Sequence, residues 1–518
     1  MKVLTAAQMR EVDRRTAELG VPNIILMENA GQRVVEFLER EYAPLAKQRI
    51  VVVCGKGNNG GDGLVVARQL FTRVKPHWLR VVLGGDPDQM RGDALLNYRM
   101  LAAVGCPVYF EITPEMRTAT LVVDAILGTG VEGVAKGKPA ELISGINEQF
   151  SLADVVAVDV PSGAVSDSGE LPGELVVRAK HTITFTAPKP CLVLSPACER
   201  AGRVHVAPIG SPPDMYEGDP SILLSVSEPG DFSSMFQPRA SDSNKGLYGH
   251  VLVIAGGRGK TGAAAMAGIA ALRAGAGLST VASAASAISA ISSYAPEIMT
   301  EPLAETDDGA IAMRAPDDPA LKAITEKKTV IAIGPGMGQH PETVQFIRQF
   351  VQESKTPMVV DADALNALAG QRSRFEGPRI FTPHPGEMSR LTGESIAEIQ
   401  ADRIGHARAF ATEHGVYLVL KGNRSLIAFP DGRVWINPTG SPSMATGGTG
   451  DVLTGMIAGL VAQFPKQLET ALLSAVYLHG RAGELGAEAI GEKSFMATDL
   501  FEFLPEAMRE IADLSHRD

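Results

Sequence analysis

Thr446-Gly447-Gly448-Thr449-Gly450-Asp451 sets an acid inside a glycine turn of the kind that binds anions. The glycines let the backbone turn tightly with several N–H groups aimed at one spot. Val452, Leu453, Met456, Ile457 and Leu460 then fall on one helical face, so the turn opens a buried helix. The first N–H groups of a helix lack partners and its dipole is positive there, which attracts phosphate. A carboxylate in that turn favours the dipole and can serve as a simple cap. It also repels a bound anion, and that is where a base stands when it takes a proton from a group meeting a phosphate.

A separate cluster lies in the first half. The apolar run 50–54 is followed by Gly55-Lys56-Gly57-Asn58-Asn59-Gly60-Gly61-Asp62-Gly63. These glycines bring backbone close to a ligand, and the two Asn with Asp62 add side-chain polarity. A tight strand-to-helix turn would account for the glycines but not for all three polar residues. Asp124 closes the run 121–125 ahead of Gly128-Thr129-Gly130-Val131-Glu132-Gly133-Val134, and Asp159 stands in Val158-Asp159-Val160-Pro161-Ser162-Gly163. One acid at a strand end is commonly a helix cap; two on neighbouring strand ends facing glycine loops suggest a site. Asn59, Asp124 and Ser162 supply hard oxygens suited to a monovalent or alkaline-earth cation, which leaves Asp159 as an acid/base.

In the second half, Gly334-Pro335-Gly336-Met337-Gly338, Asp361-Ala362-Asp363 and Thr382-Pro383-His384-Pro385-Gly386-Glu387 each follow a strand-like run. His384, restrained between two prolines, reads as a ligand contact rather than a surface turn. Lys421, ahead of Gly422, Asn423, Arg424 and Ser425, reads either as a solvated charge or as facing phosphate. The small residues from Gly262 and Ala263 to Ala276 fit close packing on a sheet or on a ligand.

Positioning these loops takes strands and helices in alternation. The run 50–54 is apolar throughout, and 79–83, 121–125 and 155–160 are similar apart from Arg80, Asp124 and Asp159, as in strands covered on both faces. After helical residues 1–47, with Asp13, Arg14 and Arg15 on a polar face, they predict a Rossmann-like, doubly wound parallel sheet with its site at the carboxyl ends. Residues 181–186 and 191–194 are further strand candidates. A Pro- and Ser-rich stretch at 213–238 reads as a linker, so the expected domains are 1–212 and 239–518, both three-layer α/β/α. Helices close the chain from 471 on.

The 518 residues exceed one ordinary core. A net charge of −11 argues against nucleic acid and anionic membranes as partners. An early-charged N-terminus unlike a signal peptide, no spanning run, and Cys54, Cys106, Cys191 and Cys198 without metal-type spacing lead to an expectation of a cytoplasmic protein with reduced thiols.

Residues 58–62, 158–163, 382–387 and 446–451, in this order, resemble the signatures of the bifunctional NAD(P)H-hydrate repair enzymes over essentially the full length. The resemblance implies an N-terminal domain that interconverts the R and S epimers of NADH and NADPH hydrated at C6. It also implies a C-terminal, ribokinase-like domain that dehydrates the S form using a nucleotide. It places the hydrate against Asn58, Asn59, Gly60, Gly61 and Asp62, residues 128–134 (Gly128, Thr129, Gly130, Val131, Glu132, Gly133, Val134) and Asp159, with potassium on Asn59, Asp124 and Ser162. In the second domain the hydrate would meet Ala263, Gly338, His384 and Asp451, and the adenine nucleotide Lys421, Gly422, Asn423, Arg424, Ser425 and Gly450. Catalysis falls to Asp159 and Asp451. ADP, cleaved to AMP and phosphate, is the expected donor, with ATP the other candidate; Mg2+ is expected beside it, and a homo-oligomer as the assembled form. One departure is Asn244, where family habit before Lys245-Gly246 is His. The alternative is a ribokinase-type small-molecule kinase fused to a non-catalytic Rossmann-like binding module.

Overall fold

The computed structural model describes residues 1–314, 319–371 and 375–514. The chain forms two compact units, Met1–Leu224 and Ser225–Asp518.

The first unit is built on seven parallel strands: β1 (Arg49–Cys54), β2 (Trp78–Leu83), β3 (Val108–Tyr109), β4 (Leu121–Ala125), β5 (Asp154–Val158), β6 (His181–Phe185) and β7 (Arg203–Ala207), in the order β3-β2-β1-β4-β5-β6-β7. Ile50 to Cys54 are fully buried, as a strand flanked by helices on both faces requires. The winding direction reverses between β1 and β4, which opens a crevice at their carboxyl ends. The strand expected over 155–160 stops at Val158, because Asp159 takes a left-handed φ of 65° that no strand accommodates. Residues 191–194 are not a strand: Pro190 opens a helical turn, Pro190–Val193.

The second unit carries ten strands among the described residues. They are β8 (Leu224–Val226), β9 (His250–Ile254), β10 (Leu278–Ala284), β11 (Met299–Leu303), β12 (Val330–Ile333), β13 (Met358–Val360), β14 (Arg379–Phe381), β15 (Tyr417–Leu420), β16 (Leu426–Ala428) and β17 (Val434–Ile436). The order is β11-β10-β9-β12-β13-β14-β15-β16-β17-β8; it is parallel from β11 through β15, and β15-β16 and β16-β17 pair antiparallel. Thr261–Arg273 and Thr449–Gln463 form helices that lie against each other so closely that a Cβ on Gly455 would stand 2.1 Å from the Ala267 carbonyl oxygen, and one on Gly459 2.5 Å from that of Ala271. The small residues of residues 262–276 therefore serve helix packing first.

The stretch 213–238 is not slack chain. Tyr216 and Ile222 are buried with Leu4 and Met9, β8 joins the second sheet, and Phe232 and Met235 enter that unit's core. Its Pro and Ser content hides four apolar residues that find partners. Asn244 caps the turn Lys245–Tyr248, accepting from the Gly246 N–H at 3.0 Å.

Candidate active sites

In the first unit, Asn58–Gln69 forms a helix directly after β1, its N-terminus open to a cleft of about 1160 Å³. A Cβ on Gly60 would meet the Gly55 carbonyl oxygen at 1.9 Å, and one on Gly61 the Met27 sulfur at 2.7 Å, so both glycines hold the turn tight and neither lines the cleft. Asn58, Asn59, Asp62, Gly128, Thr129, Gly130, Val131 and Asp159 do line it; Glu132, Gly133 and Val134 are exposed beyond it.

Asp124 is fully buried, accepting from the Ser162 hydroxyl at 2.6 Å and the Ser162 N–H at 2.8 Å. Burial pushes its carboxyl up to about 6 against those hydrogen bonds. Asn59 donates to the Leu127 carbonyl at 3.0 Å, and its own Oδ1 is buried without a hydrogen-bond partner. An orphaned amide oxygen, a buried carboxylate and a hydroxyl thus converge, a set that fits a hard monovalent cation. Among the described residues no group of three or more His, Cys, Asp or Glu is arranged for a metal, in keeping with that softer demand on charge.

Asp159 makes an ion pair with Lys189 at 2.5 Å and accepts from Thr184 at 3.1 Å. Lys189 is 1% exposed and also donates to the Phe185 carbonyl at 3.0 Å. Sequence reasoning passed over Lys189; its signal was a lysine between two prolines at a strand's carboxyl end, the same pattern that singled out His384. Asp13 was placed on a polar face with Arg14 and Arg15. Those arginines do pair with Glu11 at 2.8 Å, but Asp13 turns inward to line the cleft. Burial raises Asp13 to about 6, Lys189 opposing and Asp159 reinforcing the shift. Asp62 is raised well above its ordinary value by burial, then by Asp159 and Asp13.

In the second unit, Gly448 takes φ 99° and opens the helix Thr449–Gln463, placing Asp451 in its first turn. The turn lies over a buried ion pair: a Cβ on Gly450 would stand 3.5 Å from Lys421 Nζ and 3.9 Å from Asp361 Oδ2. Lys421 donates to Asp361 at 2.8 Å and lies 3.7 Å from Glu387, so it is neither solvated nor turned toward its own loop. Burial works against its charge, but Asp361 and Glu387 overcome that and leave it raised. Burial, followed by Asp361, lifts Asp451 to about 6. Asp361, Asp363 and Glu387 were read only as parts of loops; the acids at the ends of β13 and β14 are what set this field.

His384 caps its helix, Nδ1 accepting from the Gly386 N–H at 3.0 Å, which leaves Nε2 on the exposed side, 3.5 Å from Glu387. The Gly338 N–H donates to Asp363 at 2.7 Å, and Ala263 touches the same loop, where a Cβ on Gly336 would come within 3.1 Å. Ser425 closes its loop on the Gly422 carbonyl at 3.0 Å, Arg424 reaches the Pro438 carbonyl at 2.5 Å, and the Asn423 carbonyl accepts from Arg403 at 2.7 Å. His479, in the closing helix Leu468–Ile490 to which no chemistry was assigned, contacts the Thr449 carbonyl at 2.9 Å.

Comparison with known proteins meets this geometry from outside. Residues 23–191 match the family model described as YjeF-related protein N-terminus, and residues 251–506 the one described as NAD(P)H-hydrate dehydratase. The bifunctional NAD(P)H-hydrate repair enzyme of Moorella thermoacetica is 43% identical over 99% of this chain and 98% of its own; that of Escherichia coli is 35% identical over 99% and 95%. A solved ADP/ATP-dependent NAD(P)H-hydrate dehydratase from Bacillus subtilis, co-crystallised with ATP and Mg2+, is 35% identical, with a TM-score of 0.50, covering 55% of this chain and 98% of that one. The two units are therefore Rossmann-like and ribokinase-like in turn, and the chain belongs to the family of bifunctional NAD(P)H-hydrate repair enzymes.

Proposed function

We propose that the first unit interconverts the R and S epimers of hydrated NADH and NADPH, and that the second dehydrates the S form at the expense of an adenine nucleotide. The observation that carries this reading is the fused, full-length identity with repair enzymes, combined with an acid-lined cleft at the carboxyl edge of the first sheet and, in the second unit, Asp361, Glu387 and Asp451 gathered around Lys421. A kinase joined to a silent module is not favoured, since the relatives share both halves in this order.

In the second unit hydroxide leaves C6 poorly, so the hydroxyl is first phosphorylated. Asp451 takes its proton, the oxygen attacks the terminal phosphoryl group of ADP, and AMP departs. Backbone amides of residues 447–450 stabilise charge on the transferred group. Phosphate then leaves with the C6–O pair as the ring nitrogen lone pair moves in, and loss of a C5 proton restores the dihydronicotinamide. Ala263, Gly338 and the outer edge of His384 hold the hydrate; residues 421–425 and Gly450 face the nucleotide, with Lys421 acting from below through Asp361. ADP is our preferred donor over ATP, and Mg2+ would offset the repulsion between the phosphates and the acids at this edge.

In the first unit Asp159 acts as acid/base on the C6 hydroxyl. Potassium, held by Asn59, Asp124 and Ser162, would neutralise the buried Asp124 and pin the 127–130 loop against the helix Asn58–Gln69.

The test supplies mixed R/S hydrate with ADP or ATP, with and without potassium, and follows recovery of reduced-nicotinamide absorbance. Full recovery with release of phosphate is expected. Accumulation of a stable phosphorylated product would favour the kinase, and recovery of the S portion alone would mean a silent first unit.

A further inference from the structure

The first site holds more proton-transfer machinery than one carboxylate. Asp13, on the helix Ala6–Glu18, lines the same cleft as Asp159. Its Oδ1 is buried and has no hydrogen-bond partner, an uncommon state for a carboxylate oxygen inside a fold. The placement is enforced from two sides: the Leu4 N–H donates to the Pro188 carbonyl at 3.0 Å, and the Ala6 N–H to Asp167 at 2.6 Å, which lock the start of that helix beside Lys189. The ion pair with Lys189 and the Thr184 hydroxyl fix Asp159, whereas no protein group holds Oδ1 of Asp13.

Taking the epimerase reading above as given, we propose that Asp13 is a second catalytic proton-transfer group, acting in the same cleft as Asp159, with Lys189 as the residue that positions Asp159. Inverting C6 by ring opening needs two protons moved in concert. Asp159 takes the proton of the C6 hydroxyl, the C6–N1 bond breaks as the C6 aldehyde forms, and the released pair on N1 takes a proton from Asp13. Rotation about C5–C6 presents the other face of the aldehyde. Asp13 then recovers the N1 proton as N1 attacks, and Asp159 returns its proton to the oxygen. Nothing is oxidised or reduced, and both acids end as they began.

The charges around Asp13 suit this role. Asp62 and Asp159 face it with negative charge, Lys189 with positive, and Arg10 and Arg14 line the mouth from its own helix. With its carboxyl lifted to about 6, Asp13 is a donor that remains usable near neutral pH.

The experiment gives the full chain pure R-hydrate with potassium and excess ADP, so that nicotinamide recovery reports epimerisation, and gives pure S-hydrate as control. Asp13→Asn is expected to slow R consumption by about 100-fold or more relative to the wild type, with S consumption unchanged. Asp13→Glu is expected to recover part of the rate and to displace the fall in activity expected of the wild type as pH rises past about 6. Asp13→Asn within about twofold of wild type, or an Asp13→Glu profile with the wild-type pH limb, would overturn the proposal while leaving the epimerase reading intact. A wild-type chain that consumes R-hydrate only at the spontaneous rate would overturn both.

Discussion

Lys421 and Asp361 form a buried ion pair 2.8 Å long beneath the Gly450 turn, and Thr454 holds the other oxygen of Asp361 at 2.8 Å. The pair ties β13 and β15 to the helix that carries Asp451, so the base is set by residues about 90 and 30 positions upstream. Breaking one partner leaves a buried charge alone. Lys421→Met should therefore destabilise the second unit by about 3–5 kcal/mol. Differential scanning calorimetry checks this; an unmoved unfolding transition would show the pair to be dispensable.

Asp451→Asn should abolish dehydration of the S form while leaving nucleotide binding largely intact. Because Asp361, Asp363 and Glu387 all repel its carboxylate, the amide should also raise thermal stability by about 1 kcal/mol, the usual trade between a strained site and activity. Near-normal turnover in this variant would remove Asp451 from the mechanism.

With Asp451 as the proposed base, working in its ionised form, kcat for dehydration should rise with pH through about 6 and level off above it. The stability term runs the other way. A carboxyl raised in the fold costs stability at neutral pH, and that cost disappears as pH falls from about 6 toward its ordinary value of 3.8. A flat profile of kcat between pH 5 and 7.5 would contradict the assignment.

A potassium site built from Asn59, Asp124 and Ser162, as proposed, exists only in the folded chain, so potassium should raise the unfolding temperature of the wild-type protein. Asn59→Leu, which removes the buried, unpartnered Oδ1, should weaken that response about tenfold in potassium concentration. An identical potassium titration in both proteins would place the ion elsewhere.

Much of this was legible from the chain. Largely apolar runs marked β1, β4 and β12 within a residue or two, because strands covered on both faces bury nearly every side chain, Asp124 near the end of β4 being the polar exception. Glycine-rich turns after those runs pointed at the carboxyl edges. What stayed hidden depended on distance in sequence. Asp13 looked like one more charge in a polar face until Pro188 drew its helix over the cleft, and Asp361 looked like a turn residue until Lys421 arrived from 60 positions on. Short strands such as β3 and β14 carry too few residues to show a period.

The left-handed Asp159 has a consequence for how this protein changes under selection. A non-glycine residue at φ 65° costs about 1–3 kcal/mol, so glycine there would relax the backbone. Yet Asp159→Gly alone strands the buried Lys189 ammonium at about 3–5 kcal/mol, and Lys189→Met alone strands the carboxylate. Each step is downhill in fitness for heat resistance, while the two together trade strain and charge for an apolar contact. A population selected only for thermal survival would have to cross that valley in one double event, so the Asp159–Lys189 pair resists loss by single substitutions even when nothing tests the activity.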